Sequence, residues 1–182
     1  MKRCLSRTAT LAVLVCLSVR TSFAAAWYVT PDGTGDGSSW ESPTNSLQGA
    51  INAIPAGAGN TVWVGDGVYD TGTINYPAGS VMTNRIAVTK AITVRSLNGP
   101  AATLIQGAWH PVTTNGSAAV RCVYLAAGAR LIGFTITNGA TPLVINPPDG
   151  VDPENKRGGG LWCENNTSAT ISNCVIVGNA AD

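Results

Sequence analysis

Five charged side chains between residues 149 and 157 have types that could carry chemistry. They are Asp149, Asp152, Glu154, Lys156 and Arg157. Carboxylates supply the oxygen ligands that calcium prefers, and Lys or Arg can act as a base. The same composition is typical of a solvated loop of mixed charge, and we favour that interpretation because the segment is rich in Pro and Asp. The five residues are therefore candidates for substrate binding, with no catalytic role assigned.

Two further pairs of side chains could bind a ligand. Asp32 and Asp36 lie in a Gly-rich loop and could offer oxygen atoms to calcium, but no bidentate Glu follows, so a structural turn is favoured. His110, the only histidine, follows Trp109 and could form a sugar-stacking platform. An exposed loop is favoured there because the motif has no second partner. A single His leaves no Ser-His-Asp arrangement, and no cofactor is predicted.

Three cysteines, Cys122, Cys163 and Cys174, remain if Cys4 and Cys16 leave with an N-terminal signal. Cys122 and Cys163 fall in similar apolar segments, so a disulfide between stacked strands is one alternative. Buried thiols are favoured, because free Cys behaves as a small hydrophobic residue. No metal site is predicted at the cysteines, since no His accompanies them.

The first 26 residues have the pattern of an export signal. Lys2, Arg3 and Arg7 precede an apolar run over residues 9–19, and small residues at 24–26 suit a signal peptidase. The apolar run is shorter than the ~20 residues that a membrane-spanning helix needs. The remaining chain has seven basic and ten acidic residues, a net charge of −3, because four of the 11 Lys and Arg residues lie in the signal. This balance argues against nucleic acid as a partner.

The strongest pattern in the chain is an internal repeat. Residues 129–139 (ARLIGFTITNG) align without a gap with residues 169–179 (ATISNCVIVGN), and a short apolar segment precedes each copy. The matched apolar positions are Leu131 with Ile171, Phe134 with Cys174, and Ile136 with Ile176. Self-similarity of this kind predicts a solenoid.

The repeated unit has the alternation of a strand rather than the period of a helix. Phe134 and Ile136 alternate with Thr135 and Thr137, so each copy has one apolar face that it cannot bury alone. Stacking on a copy about 4.8 Å away would complete the backbone hydrogen bonds and close an apolar interior. Prolines in residues 140–157 exclude the helix that an α/β sheet would need there, and they predict a corner loop.

One helix is predicted, starting after Asn45 or Ser46 and ending before Pro55. Its apolar face would cover the open end of the first coil. That face consists of Leu47, Ala50, Ile51 and Ile54. Further strands are predicted at 27–30, 86–89, 91–95 and 103–106. Residues 60–69 predict two strands joined by a Gly-Asp-Gly turn, with Val62, Val64, Val68 and Tyr69 as wall residues.

These motifs resemble those of a known group of folds. The sequence GGGLWC at 158–163, followed by 169–179, is similar to the coil repeat of right-handed parallel β-helices of the pectate-lyase-like superfamily, including exported bacterial proteins of the polymorphic outer-membrane type. Residues 27–37, 46–54 and 61–69 resemble the entry strand, capping helix and first coil. The resemblance implies an all-β right-handed parallel β-helix with a short N-terminal capping helix.

The domain organisation follows from the same motifs. We expect a signal peptide at 1–26, an entry strand, loop and capping helix at 27–59, and coils at 60–182. The pattern stops after a strand with no terminal cap, so we expect the N-terminal part of a longer protein.

The resemblance implies two functions of different classes, because one fold hosts many activities. The first is a secreted or cell-surface scaffold that binds polysaccharide or another extracellular partner, with membrane contact only through export or a missing C-terminal region. This function is favoured because outward strand positions carry few charged residues. The alternative is part of a polysaccharide lyase or glycoside hydrolase whose catalytic coils lie beyond this chain. In a lyase, the cluster at 149–157 could hold calcium and a base.

Overall fold

The computed structural model describes residues 23–143, 157–164 and 168–181. Within them it contains a single helix and thirteen short strands. The helix is α1 (Leu47–Ala53), and the strands are β1 (Ala26–Val29), β2 (Thr61–Val64), β3 (Gly67–Tyr69), β4 (Ile74–Asn75), β5 (Thr83–Val88), β6 (Thr93–Ser96), β7 (Thr103–Gln106), β8 (Arg121–Leu125), β9 (Arg130–Ile132), β10 (Thr135–Thr137), β11 (Leu161–Cys163), β12 (Thr170–Ser172) and β13 (Val175–Ile176).

The strands form three sheets that the chain visits in rotation. Sheet 1 has the order β1-β2-β6-β9-β12, sheet 2 the order β13-β10-β7-β3, and sheet 3 the order β11-β8-β5-β4. Every pairing is parallel except the one between β4 and β5. The result is a parallel β-solenoid of about four turns, which confirms the predicted all-β fold class.

The register between coils confirms the internal repeat. Leu131 pairs with Ile171 in sheet 1, and Ile136 pairs with Ile176 in sheet 2. Phe134 is fully buried, and its carbonyl accepts a hydrogen bond of 2.9 Å from the Val175 N–H of the next coil. Residues that match in sequence therefore lie above one another.

Alternation along the strands fills the interior. Ile136 is fully buried, whereas Thr135 and Thr137 on either side are half-buried on the outer surface. Burying an aliphatic side chain of this size contributes about 1.5–3 kcal/mol relative to leaving it exposed. The apolar interior runs continuously through the coils because each inward position lies above another.

Helix α1 packs on the first coil, as the amphipathic pattern predicts. Ser46 is the N-cap, and its hydroxyl accepts a hydrogen bond of 3.0 Å from the Gly49 N–H. Leu47, Ala50 and Ile51 are buried and belong to the same apolar cluster as the strands. The helix contacts β1, β2 and β5 and so covers the core at this end.

The structure corrects several details of the sequence-based prediction. Val68 was expected in the wall, but its side chain is 44% exposed because it lies between the two inward positions of β3. The antiparallel β4 was not predicted. The predicted repeat of two strands is part of a three-strand coil, because sheet 3 supplies a third side. The predicted strand at 86–89 is the end of the longer β5, and that at 91–95 begins later as β6.

Some predictions concern residues that the structure does not describe. The signal peptide predicted at 1–26 lies almost entirely outside the described residues, as does most of the loop at 140–157. The right hand of the solenoid stays a prediction.

Candidate functional site

Outward side chains of sheet 1 form a continuous row across the five strands. Inward neighbours such as Val62 and Val94 belong to the core, so the alternate residues point away from it. The parallel register aligns one outward residue from each strand. We call this set the outer row, and it consists of Tyr28, Trp63, Arg95, Ile132 and Ser172.

The first half of the outer row is aromatic and cationic. The guanidinium carbon of Arg95 lies 5.5 Å from the centre of the Trp63 ring, within the range of a cation–π interaction. Trp40, from the loop after β1, packs edge-on against Tyr28 with 5.0 Å between ring centres. Trp40 is 37% exposed, and Arg95 is also exposed. This end of the row therefore presents aromatic and guanidinium surface to solvent.

The charged side chains on the strands of sheet 1 are all positive. Arg130 lies one coil beyond Arg95 and is also exposed. None of the five strands of sheet 1 contains Asp or Glu. Aromatic rings provide apolar area with polar edges, and arginine provides several hydrogen-bond donors in a plane. Such a surface can hold an extended ligand that offers both apolar ring faces and hydroxyl or charged oxygens.

The sequence pattern contains a signal for this site, but a partial one. Trp63 stands between two buried valines, and Arg95 stands between Val94 and Ser96, so alternation alone places both outside. Which outward residue of one strand meets which of the next depends on the register, and the intervening loops hide that register. Sequence analysis therefore missed the outer row.

Only one residue of the charged cluster predicted at 149–157 lies in the described part of the chain. Asp149, Asp152, Glu154 and Lys156 lie outside the described residues. Arg157 is exposed, and its carbonyl accepts a hydrogen bond of 2.7 Å from Nη2 of the buried Arg121. The role of the cluster in substrate binding stays a prediction.

The loop between β7 and β8 holds the predicted Trp109 and His110. Trp109 is 47% exposed. Nδ1 of His110 accepts hydrogen bonds from the N–H groups of Val112 and Thr113 at 3.4 and 3.3 Å, so this nitrogen is engaged in its own turn. The loop joins sheet 2 to sheet 3 and contributes nothing to the outer row.

Asp36 is a turn residue. Its Oδ1 accepts hydrogen bonds from the N–H and hydroxyl of Ser38 and from the hydroxyl of Ser42, at 3.0, 2.7 and 3.1 Å. The Ser38 hydroxyl and N–H, followed by Ser42, lower the pKa of this carboxyl below its usual 3.8. Asp32 is exposed. Across the described residues no three His, Cys, Asp or Glu side chains lie close enough to hold a metal ion.

The three cysteines are free thiols, but of the buried thiols that the sequence favoured only Cys122 is buried. The alternative disulfide between Cys122 and Cys163 is wrong, because the register of β8 and β11 places Cys163 opposite Leu125. Cys122 is fully buried and donates to the Thr137 carbonyl at 3.1 Å. Burial raises the pKa of its thiol to about 12. Cys163 and Cys174 are only half-buried, and burial raises the pKa of Cys163 as well.

Comparison of the chain with protein families, with characterised proteins and with solved structures finds no match. In the described part of the chain, no helix is both long and apolar enough to span a membrane. The fold and the outer row are therefore the evidence on which a function is proposed.

Proposed function

We propose that this protein is an exported, non-catalytic β-solenoid scaffold that binds an extracellular polysaccharide on the outer face of sheet 1. The outer row carries this proposal, because its half-buried aromatic side chains, with the exposed Trp40 packed beside them, lie next to the exposed Arg95. Sugar rings have apolar faces that pack on aromatic side chains, and their hydroxyl oxygens accept hydrogen bonds from guanidinium groups. The export signal predicted in the first 26 residues supports a secreted or cell-surface location.

The geometry of the solenoid favours an extended partner over a compact one. Neighbouring strands in a sheet lie about 4.8 Å apart, close to the length of one sugar unit in a linear chain. A polysaccharide lying along the solenoid axis would therefore meet one outer-row residue per coil. The right-handed β-helix of the pectate-lyase-like superfamily, proposed from the repeat motif, is one such scaffold.

Binding to immobilised linear polysaccharides, measured by biolayer interferometry, tests the proposal. Trp40→Ala and Arg95→Ala should each weaken binding by about tenfold, the equivalent of about 1.4 kcal/mol. Trp109→Ala is the matched control, because it removes a half-exposed Trp from a loop away from the outer row. Equal effects of Trp40→Ala and Trp109→Ala, or no binding to any polysaccharide by the unmodified protein, would contradict the proposal.

The alternative proposal is a polysaccharide lyase or glycoside hydrolase with catalytic coils beyond this chain. Hydrolysis usually requires a pair of carboxylates, and lyase chemistry requires a base with an anion-stabilising group. None of the strands in the described residues contains Asp or Glu. Incubation of acidic polysaccharide with the protein expressed from its complete gene, followed by ultraviolet absorbance of unsaturated products, distinguishes a lyase from a scaffold. Product formation would favour the lyase.

A further inference from the structure

A cavity of about 210 Å³ lies where the start of helix α1 meets the first coil. Its wall comes from the residues around the N-cap, from the segment after β3, and from β5. The polar side chains that line it are Asn45, Ser46, Gln48, Tyr69, Thr71 and Arg85. Arg85 is the only one of these that carries a charge. The cavity lies apart from the outer row and is independent of the proposed function.

Arg85 is a buried cation held by neutral groups. Its side chain is only 7% exposed. Nε donates to the Gln106 carbonyl at 2.7 Å, Nη1 to the Gly72 carbonyl at 2.5 Å, and Nη2 to the Gly107 carbonyl at 3.4 Å. These contacts join β5 to the segment after β3 and to the corner after β7. A guanidinium has five N–H groups, so the three contacts do not exhaust its donors.

The charge of Arg85 is poorly compensated. Of the described carboxylates, Asp70 is the one whose charge acts on Arg85, and it does so from an exposed position without an ion pair. Burial lowers the pKa of the guanidinium below its ordinary value, and the charge of Asp70 opposes this only in part. A charge removed from water is costly unless an opposite charge pairs with it. An anion in the adjoining cavity would supply that pair.

We propose that this cavity binds a small ligand through a single carboxylate group that pairs with Arg85. The planar guanidinium fork matches the two oxygens of a carboxylate. The other polar lining groups, the Asn45 amide and the Ser46 and Thr71 hydroxyls, are neutral donors. One cation with neutral donors balances one negative charge, which favours a carboxylate over a doubly charged phosphate.

Acetate is the probe for this site. Titration of the purified protein with sodium acetate, at constant ionic strength kept with sodium chloride, should give saturable NMR shifts of the Arg85 Nε–H and of the Thr71 and Gln48 amides.

Arg85 itself is unsuited to substitution because it also anchors the corner between two coils. Asn45→Asp is the test variant, because Asn45 is exposed, lines the cavity and would place a negative charge there. It should weaken acetate binding by about tenfold or more.

Asn173→Asp is the matched control, because it adds the same charge at an exposed position outside the cavity lining, after β12 and two coils away from β6. It should leave acetate affinity within about twofold, since charges exposed to solvent are screened over about 10 Å. Shifts that do not saturate, or that sodium chloride alone reproduces, would overturn the proposal. So would equal loss in both variants. Tighter binding of inorganic phosphate than of acetate would overturn the assignment to a carboxylate.

Discussion

At the scale of single residues, the surroundings decide what each reactive group does. Asp36 accepts three hydrogen bonds within a loop and acts as a structural acceptor. Cys122 lies in the core, where burial favours the protonated thiol. Both groups belong to residue types that often carry chemistry, and in both the local contacts explain a structural role instead.

Asp36 should make stability depend on pH in the acid range. Its folded-state pKa is lowered, so its contribution is fully present above the ordinary value of 3.8 and is lost as pH falls through the folded-state pKa. Asp36→Asn should therefore melt at a lower temperature than the unmodified protein at neutral pH, and the two should converge in acid. Thermal unfolding followed by circular dichroism across pH 2–7 measures this. A constant difference over the whole range would refute the role of the charge.

Cys122 should be the least reactive of the three described thiols. The thiolate is the nucleophile, and burial both hides the sulfur and raises the pKa to about 12. Under native conditions, iodoacetamide should modify Cys163 and Cys174 while Cys122 stays intact, as peptide mass spectrometry can measure. All three should react in denaturant. Modification of Cys122 as fast as that of Cys174 would show that the core opens readily.

At the scale of elements, helix α1 is ordered by its cap and by its apolar face. With seven residues it is too short to be stable alone, so tertiary packing must support it. Leu47, Ala50 and Ile51 provide that packing against β1, β2 and β5. Ser46 satisfies a backbone N–H at the N-terminus that would otherwise lack a partner.

Ser46→Ala should reduce the free energy of unfolding by about 1 kcal/mol, the usual cost of removing an N-cap. Urea unfolding followed by circular dichroism provides the measurement. Ser46→Asp is the control, because Asp caps a helix as well as Ser does and should leave stability nearly unchanged. An equal loss in both variants would mean that the cap hydrogen bond to Gly49 does not stabilise the helix.

At the scale of the whole molecule, stability depends on close approach between coils. Each coil of a solenoid contacts only its neighbours, so every contact between coils matters. Gly139 lies at the corner between sheets 2 and 3, and a Cβ there would lie 2.1 Å from the Gly159 carbonyl oxygen and 2.7 Å from Sγ of Cys122. The corner needs glycine for space.

Gly139→Ala should therefore lower the free energy of unfolding by about 1–3 kcal/mol, the usual cost of overpacking. Gly59→Ala is the matched control, because a Cβ there meets its nearest atom at an ordinary 3.5 Å. That variant should change stability by no more than about 0.5 kcal/mol. Urea unfolding compares the two. Equal stabilities would show that the corner relaxes without cost.

The sequence by itself determined the repeat, the helix and the inward positions around Phe134 and Ile136. Alternation around Phe134 and Ile136 depends only on the local pleat, and the apolar face of α1 depends only on the helical period. The gapless alignment of 129–139 with 169–179 also predicted which residues stack in the last two coils, because the turn between the two strands has the same length in each copy.

Only the tertiary structure decided the outward contacts and the corners. Trp63 meets Arg95, and Arg85 reaches the carbonyls of Gln106 and Gly107, across loops of unequal length. Parallel pairing brings together residues that are distant in the chain, and a shift of one residue would turn each side chain to the opposite face. The candidate binding surfaces therefore depend on register, which the packing of the whole core sets.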